Sequence, residues 1–172
     1  GVSIHGLQSI FSSGPRQVSL LAVADSDATK EKLLTSMDWN PILDNGCPKS
    51  AGGLDNVISL SMALNIPVQL SALDCAPFYH GYGEACSDAR LTIGIWNLPL
   101  VDLNGLKFRI PFYIFLGSGP LLLGNSVLRH SRIDGPKHLL VITEKAGLSP
   151  TPLVLQTYTT DSLRTRLHVI PC

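Results

Sequence analysis

The sequence predicts a mostly β domain with two or three short helices, its strands forming a closed barrel or a sandwich. Three observations lead there. Apolar residues alternate with polar ones at Val68, Leu70 and Ala72, and again at Leu91, Ile93 and Ile95, which is the period of a strand with one buried face. Asn104-Gly105 separates two apolar runs, 98–103 and 106–116, and reads as a type I′ hairpin turn because both residues tolerate positive φ. Strand-length runs do not alternate regularly with helical ones, which argues against a βαβ sheet.

In chain order, residues 1–16 are rich in serine and glycine, include Pro15, and read as an N-terminal extension. The domain, 17–172, begins near Gln17 with a strand-length apolar run over 18–24. Ser26 or Asp27 can accept hydrogen bonds from the free amides of a helix start, and Leu33, Leu34 and Met37 follow at helical spacing. Asn40-Pro41-Ile42-Leu43 then leads as a strand into the turn formers Asp44-Asn45-Gly46. Leu54, Val57, Ile58, Ser61 and Met62 fall on one face of a helix. Leu121, Leu122 and Leu123 make a buried-strand candidate that feeds a short helix over 125–130, and runs at 138–143, 152–157 and 167–170 read as closing strands. There are no internal repeats of solenoid period.

The 172 residues suit one domain with a sizeable core. Lysine plus arginine and aspartate plus glutamate number 13 each, so the chain lacks the basic footprint of a nucleic-acid binder. Charged residues are 15% where soluble domains carry about 25%, and mean hydropathy is +0.24; a surface so poor in charge is expected to be covered in part by another chain. The apolar run 110–128 approaches membrane-spanning length, but Pro111, Gly117, Gly119, Pro120 and Gly124 break it into strands, and we expect no membrane span. Cys47, Cys75, Cys86 and Cys172 contain no CxxC pair and the five histidines are scattered, so neither metal nor cofactor is expected. The cysteines leave the redox compartment open, an intracellular one being favoured. A start at Gly1 reads as a processed product or a fragment.

Three segments, in order, resemble retropepsin-like aspartic proteases of retrotransposon polyproteins. Ile42-Leu43-Asp44-Asn45-Gly46-Cys47 is similar to the family's apolar-apolar-Asp-Thr/Ser-Gly-Ala/Cys active-site turn. Phe78-Tyr79-His80-Gly81-Tyr82-Gly83 is similar to its flap, and Pro120-Leu121-Leu122-Leu123-Gly124-Asn125 to its strand end followed by a helix. Leu167-His168-Val169-Ile170-Pro171 resembles the closing strand, so the resemblance spans 18–172. It implies a closed retropepsin-like barrel with a flap hairpin.

The resemblance also implies a homodimer hydrolysing a peptide or polyprotein substrate. Asp44 would be the catalytic residue, one from each subunit, with Asn45 and Gly46 completing the turn. Tyr79, Gly81, Tyr82 and Gly83 would close over an extended peptide. Two neighbouring carboxylates share one proton, so one acts as base on water and the other as acid. Asn45 departs from the pattern, because its planar amide replaces a hydroxyl that braces the paired turns. A second expectation is therefore a retropepsin-fold subunit without catalysis, bound to other proteins in a larger assembly. Read locally, Asp44-Asn45-Gly46 is also an ordinary turn, the flap glycines ordinary turn residues, and Cys47 a small buried thiol rather than a nucleophile.

Overall fold

The structure, a computed structural model, describes residues 2–5, 18–24, 39–73, 78–79 and 90–172. The helix expected around Leu33, Leu34 and Met37 lies outside these residues, as do Gly81, Tyr82 and Gly83. In chain order the elements are β1 (Val2–His5), β2 (Val18–Ala24), β3 (Ile42–Leu43), β4 (Ala51–Gly53), α1 (Leu54–Leu64), β5 (Val68–Ser71), β6 (Phe78–Tyr79), β7 (Arg90–Val101) and β8 (Lys107–Phe115). They continue with β9 (Leu122–Leu123), α2 (Asn125–Leu128), β10 (Ser131–Asp134), β11 (Leu139–Ile142), a 3-10 turn (Glu144–Ala146), β12 (Leu153–Thr159) and β13 (Thr165–His168).

The mostly β reading is met. The strands form one mixed sheet in the order β1-β2-β5-β7-β8-β4-β9-β3-β13-β12-β11-β10, with β6 paired to β7 off this path. The path is open, which corrects the expected closure into a barrel. Period-2 patterning fixes which face of a strand is buried but not which strands pair, so closure is not encoded in the alternation that predicts the strands. The apolar run 110–128 resolves into β8, β9 and α2, and no described helix is long and apolar enough to cross a membrane.

The β7–β8 hairpin is the centre of the core. Trp96, Phe112 and Phe115 are fully buried on it, each contributing about 2 kcal/mol by leaving water. Its turn differs from the type I′ expectation. Among its residues only Gly105 has positive φ, at 82°, Gly105 N–H donates to the Asp102 carbonyl at 3.1 Å, and Asp102 N–H donates to the Leu106 carbonyl at 2.9 Å. This is a three-residue loop with glycine in the left-handed position. The buried Asp102 carboxylate selects it by accepting the N–H groups of Asn104 and Leu106 at 2.9 and 2.8 Å.

Pro99 and Pro111 lie inside β7 and β8, where a missing N–H would break a ladder. They are tolerated because β7 pairs with β5 only at Trp96 and Ile95, and β8 pairs with β4 only from Tyr113 onward. Helix α1 buries Leu54, Val57, Leu60 and Met62 and ends at Asn65, whose φ of 55° lets the Ile66 N–H donate back to the Ser61 carbonyl.

Candidate functional site

After Leu43 the chain reverses through Asp44-Asn45-Gly46-Cys47. Cys47 N–H donates to the Asp44 carbonyl at 3.2 Å, closing the turn, and Gly46 N–H donates to Asp44 Oδ1 at 2.9 Å. The second bond fixes the carboxylate relative to its own backbone and leaves Oδ2 for other chemistry. A Cβ on Gly46 would stand 3.2 Å from Asp44 Oδ1, so glycine keeps that approach clear. Asp44 is half-buried; Asn45 is exposed, and its amide has no hydrogen-bond partner among the described residues.

Strand β9 holds this turn by lying between the strands on either side of it. It runs parallel to β3, which precedes the turn, and antiparallel to β4, which follows it. Asp44 N–H donates to the Leu123 carbonyl at 3.0 Å. Beyond β9, Gly124 N–H donates to the buried Ser50 Oγ at 3.0 Å, while the Asn125 and Ser126 N–H groups donate to the carbonyls of Cys47 and Pro48 at 2.7 and 2.9 Å. The free amides at the start of α2 are thus used up on the segment after Asp44. Backbones approach so closely here that a Cβ on Gly124 would lie 2.5 Å from the Lys49 carbonyl carbon. Cys47 is fully buried and its Sγ donates to the Lys49 carbonyl at 3.0 Å, a core position rather than a nucleophile's.

Asp44 opens into a cleft of about 370 Å³, whose walls include Leu43, Leu128, Ile133, Leu163 and Arg164. Among the described residues, Asp44 is the one acid lining it. A depression of about 560 Å³ elsewhere, among Pro99, Lys107, Arg109 and Leu148, shares no described residue with the cleft and presents no Asp or Glu side chain among the described residues. No family model matches this chain, nor does any curated protein or solved structure.

Of the site residues expected from sequence, Asp44, Asn45 and Gly46 come together on one turn, two of them lining the cleft. Tyr79 lies on β6, where it pairs with Arg90 of β7. Gly81, Tyr82 and Gly83 fall outside the described residues. Sequence reasoning missed Ser50 as the acceptor for Gly124, and Ile133, Leu163 and Arg164 as cleft walls. Nothing local marks those walls, because they reach Asp44 only through strand pairing of β10 to β13.

A lone carboxylate can take a proton from water. It cannot at the same moment give one to a carbonyl, so hydrolysis at this cleft needs a second acid.

Proposed function

We propose that the chain is an aspartic endopeptidase of the retropepsin type, acting as a homodimer on extended peptides. The observation that carries this reading is the Asp44 carboxylate, fixed by Gly46 N–H on a turn braced by β9 and set in a cleft with no other acid among the described residues. A second copy would supply the missing carboxylate. The two Asp44 side chains would share one proton and hold a water between them: the ionised one deprotonates the water as it attacks the peptide carbonyl, and the protonated one donates to the carbonyl oxygen. The tetrahedral intermediate then collapses as the amide nitrogen leaves with a proton. The β6 strand on β7 supports a flap covering the peptide, and main-chain pairing would supply affinity.

A second reading is favoured by Asn45. Its exposed, unengaged amide stands where the resembling family places a bracing hydroxyl, which fits a retropepsin-fold subunit that has lost hydrolysis and serves a larger assembly. Incubating the chain with a mixed peptide library from acidic to neutral pH separates the two. Cleavage that disappears in Asp44→Asn supports the protease; a dimer with no cleavage at any pH rejects it in favour of the structural subunit.

A further inference from the structure

The outer edge of β8 is open over its first half. β4 joins β8 only from Tyr113 to Phe115, and no other described strand lies on that side. Hydrogen bonds made by β7 fix which main-chain groups face that edge. Val101 N–H donates to the Ile170 carbonyl at 2.9 Å and the Pro99 carbonyl accepts Cys172 N–H at 3.2 Å, both away from β8. In an antiparallel ladder, directly opposed residues either exchange both main-chain bonds or point both sets outward. Val101 opposes Lys107 and Pro99 opposes Arg109, so Lys107 and Arg109 turn their main-chain groups outward too. Tyr113 keeps the same phase, its N–H donating outward to the Ser50 carbonyl at 2.8 Å. Lys107 and Arg109 therefore leave N–H and C=O groups without a main-chain partner among the described residues.

Their side chains share one face of the strand, because Phe108, Ile110 and Phe112 are buried on the other. Both side chains are exposed, and neither makes an ion pair or hydrogen bond with a described residue, Cys172 included. Both border the depression of about 560 Å³, which Gly147 and Leu148 also line. Arg109 borders a second one of about 210 Å³ as well, together with the amides of Asn65, Gln69 and Asn97. No Asp or Glu side chain among the described residues lines either. Lysine and proline on an open edge can serve only to repel other strands. A guard of that kind needs no concavity beside it, whereas an added strand needs room for its side chains, and the two depressions supply it.

We infer that an extended acidic peptide segment adds to the sheet along Lys107 and Arg109, its main chain pairing with their outward groups and its alternate carboxylates lying beside the ammonium and the guanidinium. Strand addition draws affinity from main-chain bonds and leaves alternate side chains to give choice. Opposite charges at opposed positions of neighbouring strands attract, and a peptide rich in lysine is repelled. The depressions share no described residue with the Asp44 cleft, so this site is distinct from the proposed peptidase site and does not depend on it.

Fluorescence anisotropy of a capped, labelled peptide alternating glutamate with valine, titrated with the whole chain, tests the inference. The peptide should bind saturably, and its counterpart alternating lysine with valine should bind at least about tenfold more weakly. Lys107→Gln combined with Arg109→Gln should weaken binding about tenfold while keeping the native urea midpoint, since both side chains are exposed. Lys145→Gln, at an exposed cation outside both depressions, should leave binding unchanged. Amide exchange at Lys107 and Arg109 should slow when the peptide is bound, and N-methylation of the peptide's main chain should cost about tenfold or more in affinity. Absence of saturable binding overturns the inference and leaves the two cations as guards of the edge. Equal affinity for the N-methylated peptide overturns strand addition in favour of charge attraction alone. Tighter binding of a single-stranded oligonucleotide through the same two cations overturns the peptide as occupant. Binding lost in Asp44→Asn but kept in the Lys107 and Arg109 double variant overturns it too, and gives the peptide to the cleft.

Discussion

Oδ1 of Asp44 accepts a hydrogen bond from the backbone N–H of Gly46 at 2.9 Å, so the carboxylate is oriented by its own turn before any partner or substrate arrives. Asparagine keeps an oxygen able to accept that bond but cannot act as an acid or a base at the other position. Asp44→Asn should therefore change unfolding free energy by less than about 1 kcal/mol in a urea titration, while any peptide cleavage falls by at least about 100-fold. A large loss of stability would mean that the carboxylate belongs to the fold rather than to chemistry.

Asn45 allows a cleaner separation of fold from assembly. Its side chain is exposed and engages no described residue, so Asn45→Thr should alter chain stability by no more than about 0.5 kcal/mol. If paired turns meet across a dimer axis, the compact hydroxyl should tighten the dimer and raise kcat. Activity and dissociation constant measured together decide this, and no change in either would show that position 45 does not lie at the axis.

The sequence was legible where local chemistry decides the outcome. Alternation at Val68 and Leu70 located β5, and Leu54, Val57, Ile58 and Met62 located α1, because burying one face requires those periods. Asp44-Asn45-Gly46 was legible as a turn for the same reason. Gly105 marked the hairpin, but the loop type was set by Asp102, whose role as an acceptor appears only once its carboxylate is buried at 3% exposure. The two-residue strands β3 and β9 and the glycine-rich β4 carry too little periodicity to announce their pairing, and that pairing builds the site. The cleft walls Ile133 and Leu163 depend on contacts between segments distant in the chain, for which a single sequence has no local signal.

Gly124 is the tightest approach of backbone to backbone in the brace behind Asp44. A methyl group there would meet backbone atoms, with Lys49 C at 2.5 Å and Ser50 N at 2.7 Å, and neither can rotate away as a side chain would. Gly124→Ala should cost about 1–3 kcal/mol by overpacking and push the segment after Asp44 outward, lowering activity more than stability alone explains. Ser50→Ala tests the same brace more gently, since it removes only the buried acceptor for Gly124 N–H, at about 1–2 kcal/mol. Urea midpoints for both variants, with amide exchange at Gly124, check the order. Equal stability in Gly124→Ala and the native chain would show that the two backbones are not in contact.

Asp102 offers the sharpest test of the fold away from the site. Its Oδ1 accepts the N–H groups of Asn104 and Leu106, and its Oδ2 accepts the N–H of Val154 at 3.1 Å, joining the β7–β8 loop to β12. At 3% exposure the carboxylate is out of water, so these donors are its compensation for lost hydration. Asp102→Ala strands several N–H groups at once and should destabilise the chain by about 3 kcal/mol, within the range for losing a charged acceptor to multiple donors. Asp102→Asn retains acceptance on one oxygen but places an NH2 group where the other accepted a donor, and it should fall between alanine and the native chain. Hydrogen exchange should accelerate at Leu106 and Val154 in Asp102→Ala, with α2 and the Asp44 turn less affected. If the accelerated amides instead spread evenly over the domain, Asp102 would be supporting global stability and not the specific tie between hairpin and β12.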